Sequence, residues 1–204
     1  MKFSYIAVCV AAGALCLALS NMAQARTLKA AHSHVEDQAT DLSFKEFGKK
    51  LSELSNGELS VSVFANGQLG GEREVAEQVL NGAVDISMVG GQLIENFYAP
   101  YATTNIPYLF RDYEHVKKFI KSDVAHKYLL DATLDKGFLG LWFETCGPRS
   151  FYAKKAINSP ADLDGLKMRV PESPMSINTV KLLGGQPTPM SSSERTAVRV
   201  TWAR

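Results

Sequence analysis

Residues 156–190 read AINSPADLDGLKMRVPESPMSINTVKLLGGQPTPM, a stretch that holds a short strand and two helix starts. Leu166, Met168 and Val170 alternate with Lys167 and Arg169, so a strand here has one apolar face and one face carrying two cations. Pro171 ends it. Ser159-Pro160 with Asp162 forms a helix start, a cap followed by a first-turn proline and an acid, and Ser173-Pro174 repeats the device. The second start opens a helix over 175–183, which Gly184-Gly185 stops. Its first-turn amides would face the same strand end as Arg169, so a carboxylate placed there would meet a guanidinium and a helix N-terminus together. By spacing alone, Arg169 also reads as an ordinary solvated arginine on an edge strand.

Upstream, the pattern alternates strand and helix. Residues 27–33 (TLKAAHS) read as a first strand ending in His32-Ser33-His34, and 39–54 as a helix with Leu42, Phe44, Phe47, Leu51 and Leu54 on one face, closed by Asn56-Gly57. Leu59, Val61 and Val63 give a second strand, 72–80 a second helix with acids in its first turn, and 84–89 (VDISMV) an apolar strand covered on both faces. This order predicts a right-handed parallel α/β sheet, whose ligands bind at the carboxyl ends of its strands. Those ends are His32 to His34, Gly67 to Gly71 and Gly90-Gly91. Glu72 at the start of the second helix reads either as a cap or as a polar group at the cleft. His32 and His34 share a strand face and could pair on zinc, but no cysteine or carboxylate is spaced to complete a site. The glycines at 66–71 lack the Gly-Lys-Ser/Thr ending of a phosphate loop.

Further along, 100–110 reads as a packed loop, 112–136 as one long helical stretch, and 138–143 (FLGLWF) as a buried strand broken by Gly147-Pro148. Arg149 would then open a second lobe beside the cleft.

The chain has 204 residues, 22 basic and 21 acidic. Lys2, an apolar run over 6–19 and Ala23-Gln24-Ala25 read as a secretory signal over 1–25. Its removal leaves 179 residues with 21 charges of each sign, a balance that argues against nucleic-acid and membrane-surface partners. Cys146 is the single cysteine of that mature portion, so stability has to come from a hydrophobic core rather than an internal disulfide. A secreted hydrolase built on Cys146 and a histidine is the alternative from another class; no oxyanion loop accompanies the cysteine.

The run AINSPADLDGLKMRVPESP followed by LLGGQPTPMSSSE, with QLGGEREVAEQVLNGAVDIS and GQLIENFYAP before it, resembles the solute-binding proteins of tripartite ATP-independent periplasmic (TRAP) transporters, in their dicarboxylate-binding DctP group. The resemblance implies an α/β, two-lobed periplasmic binding protein fold, type II-like, with a first lobe over 26–147 and a partial second lobe over 148–194. It also implies a monomer without catalysis or cofactor that captures a small organic acid, a C4-dicarboxylate or related carboxylate, and hands it to TRAP permease subunits for sodium-coupled uptake. By the same resemblance, Arg169 pairs with the ligand carboxylate, Arg149 shares the cleft, and Glu72, His32 and His34 face from the first lobe. Glu172, in the same motif as Arg169, joins the candidate ligand-binding set. Residues 195–204 (RTAVRVTWAR) depart from the family pattern, which suggests a frameshifted or truncated reading frame and an incomplete second lobe. A binding protein of another importer class and a non-binding remnant are the remaining alternatives.

Overall fold

A computed structural model describes residues 25–145 and 147–191. Nearly all of the expected export signal, the 195–204 tail and Cys146 lie outside the described residues.

Strand β1 (Arg26–Ala31) leads through helix α1 (Ala39–Leu54) to β2 (Leu59–Phe64), and then through α2 (Glu72–Leu80) to β3 (Ile86–Ser87). The three strands are parallel in the order β2-β1-β3, with Ala31 opposite both Phe64 and Ser87. Helix α1 falls where its apolar spacing puts it, and α2 opens with the expected acids in its first turn. One face of the sheet buries Ala31 against Val75 of α2 and Val84, with Phe64, Leu69 and Val79 packed around them. On the α1 face Phe44, 1% exposed, lies between the His32 ring at 5.3 Å and Trp142 at 5.6 Å. Asp85 joins β3 to β1, accepting from the Lys29 amide at 2.8 Å and from Arg26 Nη2 at 2.7 Å.

Three expectations change. The apolar run 84–89 contributes only a two-residue ladder, Ile86 and Ser87 against Ala30 and Ala31, and is an edge strand among the described residues. The 138–143 segment, expected as a buried strand, enters no ladder among the described residues: Leu139 is 60% exposed, and the Gly140 amide donates to Leu130 O at 3.4 Å. An apolar run becomes a strand only where a neighbouring edge takes its backbone groups. The 112–136 stretch is not one helix either. It divides into α4 (Tyr113–Ile120) and a short α5 (Asp123–Ala125), then a π turn (His126–Leu130) and a 3-10 turn (Asp131–Lys136). Ser122 makes the first break, donating to Phe119 O at 2.6 Å while accepting from the Ala125 amide at 3.2 Å, so one serine ends one helix and caps the next. Between β3 and α4 lie the short helix α3 (Gly91–Ile94) and a 3-10 segment (Ala99–Asn105).

The second unit starts with the 3-10 turn Pro160–Leu163, where Ser159 and Asp162 form the capping box. Strand β4 (Lys167–Val170) follows, then helix α6 (Pro174–Leu182) and β5 (Gln186–Pro189), parallel to β4 and pairing Arg169 with Thr188. Sequence reasoning passed over β5 because QPTP carries two prolines, which lack ladder donors and are confined to strand edges.

Candidate functional site

The carboxyl ends of the first sheet are gathered by one carboxylate. Glu72, the first residue of α2, accepts from Ser33 Oγ at 3.3 Å through Oε1 and from the Gly90 amide at 2.9 Å through Oε2. It thereby ties the end of β1 to the glycine turn after β3. A Cβ at Gly90 would stand 3.1 Å from the same Glu72 oxygen, so a larger residue there would have to move that carboxylate by a few tenths of an ångström.

The two histidines at the end of β1 part company. His34 lines a hollow of about 400 Å³ with Gln38, Ala39, Thr40, Glu144 and Thr145, where Thr40 Oγ1 donates to Glu144 at 3.0 Å. His32 turns under α1 with no exposed side-chain surface, its Nε2 donating to Asp41 Oδ1 at 3.1 Å and its Nδ1 unpartnered. Asp41, in the first turn of α1, also accepts from the Asp37 amide at 2.9 Å and pairs with Lys45 at 2.7 Å. The Lys45 ammonium, followed by the Asp37 amide, holds the Asp41 carboxyl below the usual carboxylate range, and the same partnership raises Lys45. His32 is thus placed as a support for the strand end, with His34 at the open hollow. Among the described residues, no group of three His, Cys, Asp or Glu side chains is arranged to hold a metal ion.

On the second unit, Arg169 is half-buried at the end of β4. Its Nε and Nη2 both donate to Met190 O, at 2.9 and 2.6 Å, so the guanidinium also ties β4 to the chain just past β5. Glu172, three residues on, accepts from Arg73 Nε of α2 at 3.3 Å. Arg73 follows Glu72 in α2, so its pair with Glu172 links the helix that Glu72 opens to the turn after β4. Arg149 is exposed and lines a groove of about 440 Å³ with Tyr108, Ser150, Phe151, Ala153, Lys155, Ala156 and Ile157, and no other candidate residue lines that groove.

The expectation of a ligand carboxylate at the N-terminus of α6 is altered by a residue of the chain itself. The amide of Met175 and the hydroxyl of the cap, Ser173, donate to Glu95 Oε1 at 3.0 and 2.6 Å. The helix end is therefore satisfied by an internal carboxylate. Sequence reasoning missed Glu95, Arg73 and Glu144. Ser173-Pro174 announced the helix start, but its partner stands 78 residues away in sequence and no local pattern points to it.

Residues 30–195 match the family model described as bacterial extracellular solute-binding protein, family 7. A solute-binding protein of Roseobacter denitrificans is 35% identical over 186 residues, which are 91% of this chain and 56% of that protein. The C4-dicarboxylate-binding periplasmic protein DctP of Vibrio cholerae is 33% identical over 146 residues, 72% of this chain and 44% of that protein. Among solved structures, a TRAP periplasmic solute-binding protein of Pseudomonas putida F1 with bound D-glucuronate superposes with a TM-score of 0.82 at 32% identity, covering 87% of this chain and 58% of that one. The chain spans about half the length of the curated relatives it matches.

Proposed function

The chain belongs to family 7 of the bacterial extracellular solute-binding proteins, and from that premise we propose that it is a solute-capturing subunit of a TRAP transporter that binds a small organic acid. The two-lobed α/β fold expected from the sequence is the fold of its structural relative, with the second lobe present in part. In this reading residues 26–147 form the first lobe and 148–194 part of the second. Arg169 is the carboxylate anchor, Arg149 a second cation of the cleft, and Glu72, Glu172 and His34 accept hydrogen bonds from, or donate them to, the hydroxyls of the acid. The protein works in the periplasm as a monomer beside membrane permease subunits and performs no chemistry on its ligand. No helix of the described residues is long and apolar enough to cross a membrane.

The observation that supports this reading best is the position of Arg169. A planar guanidinium sits at the carboxyl end of a parallel strand, oriented by the Met190 carbonyl and carrying the forked donors that match a carboxylate. The bound D-glucuronate of one relative and the C4-dicarboxylate of another define the acids to try. Calorimetric titration of the chain with D-glucuronate, D-galacturonate, succinate and sialic acid tests the proposal. Saturable heat with one acid class is expected, and no heat with any of the four would overturn it.

A further inference from the structure

Glu95, in the turn after α3, is 7% exposed, and both its oxygens are committed. Oε2 accepts from Asn105 Nδ2 at 2.7 Å, and Asn105 also donates to Gly91 O at 3.2 Å, so this oxygen is fixed to the first unit. Oε1 reaches the second unit at Ser173 Oγ and the Met175 amide. Next to it Asn96 Nδ2 donates to Glu172 O at 2.8 Å. The Arg73–Glu172 pair spans the same gap, but its side chains are 38% and 39% exposed, and a pair that open to solvent contributes little by itself. Glu95 is the buried member of the set, aimed at the positive end of the nine-residue helix α6.

We propose that Glu95 is a positioning residue for ligand capture. Its carboxylate pins the turn between β4 and α6 to the first lobe, and so sets how far the strand that carries Arg169 stands from the first lobe. The contacted residues, Glu172 to Met175, follow Arg169 within six positions, so a shift of α6 moves the anchor with it. A bond between lobes made wholly by the chain's own groups favours the closed pose and lowers the ordering cost that the acid must meet on binding.

The experiment places spin labels at Lys49 of α1 and Lys181 of α6, both exposed, in the full chain with Cys9, Cys16 and Cys146 replaced by serine. Label-to-label distances and amide exchange are read without any acid for the native chain, Glu95→Ala and Glu95→Gln. A single narrow distance is expected for the native chain. Glu95→Ala should broaden the distribution and speed exchange at the Met175 amide by on the order of tenfold, the equivalent of one charged hydrogen bond. Glu95→Gln keeps an acceptor oxygen without the charge and should fall between the two. If the alanine chain does not fold, Glu95→Gln and Ser173→Ala carry the comparison. Distances that stay as narrow as the native ones overturn the proposal, including the case in which only the melting temperature falls, because a purely local cap would destabilise without moving the lobes. The inference rests on the binding-protein reading, but these distances need no ligand, so its failure is told apart from a failure of the calorimetric titration.

Discussion

Arg169→Ala should act twice, and the structure separates the two effects. In the absence of ligand, the guanidinium holds β4 to the end of β5 by donating two N–H groups to the single carbonyl of Met190. Two donors sharing one acceptor count as one strong charged bond rather than two, so the loss is about 1.5–3 kcal/mol of folding stability. With a urea slope of about 1–3 kcal/mol/M, the unfolding midpoint falls by roughly 1 M. With ligand, the native chain at a hundredfold excess over Kd gains about 2.7 kcal/mol, and the variant should gain almost none of it. Urea titrations followed by tryptophan fluorescence, with and without saturating D-glucuronate, read both quantities on the same samples. Arg169→Lys keeps the charge but loses the forked donors, and should recover part of each. An unchanged midpoint without ligand would refute the tie between β4 and β5. An undiminished gain with ligand would refute the anchor.

Phe44→Ala empties the aromatic layer between His32 and Trp142 and should cost about 3–5 kcal/mol, seen as a lower thermal midpoint. Gly140→Ala should destabilise by about 1–3 kcal/mol, because the new Cβ would come within 2.7 Å of the Leu130 backbone; equal denaturation curves would contradict that packing. Asp85 is held below the ordinary carboxylate value, first by the Lys29 amide and then by Arg26. A depressed folded value means the Asp85 contribution is complete above the unfolded pKa of about 3.9 and fades as pH falls through the lower folded value. Asp85→Asn should therefore flatten the loss of stability between pH 5 and pH 2, measured by urea unfolding along that series.

The elements that sequence reasoning located are those whose signals are local. Helix α1 follows from apolar residues returning every three or four positions and α2 from the acids of its first turn, and Ser159, Asp162 and Ser173 cap where such residues satisfy nearby amides. Arg169 could be singled out because alternation around it fixes which face it occupies. The failures share one cause, since a strand is completed by its partner and not by itself. FLGLWF has the composition of a buried strand but enters no ladder among the described residues, while QPTP has the composition of a loop but pairs with β4.

Sequence by itself determined the α/β order, the caps, the candidate cations and, through linked motifs, the family. Tertiary structure decided what those groups are attached to. Glu95 lies 78 residues from Ser173, and Arg73 lies 99 residues from Glu172, so only folding could show that the helix N-terminus near Arg169 meets a carboxylate of the other unit. Likewise His32 and His34 share a strand face on paper, yet Asp41 draws one beneath α1 while the other borders the hollow beside Glu144. Periodicity is set by the geometry of a single backbone segment; the pairing of buried charges is set by which segments meet, and that is a property of the whole chain.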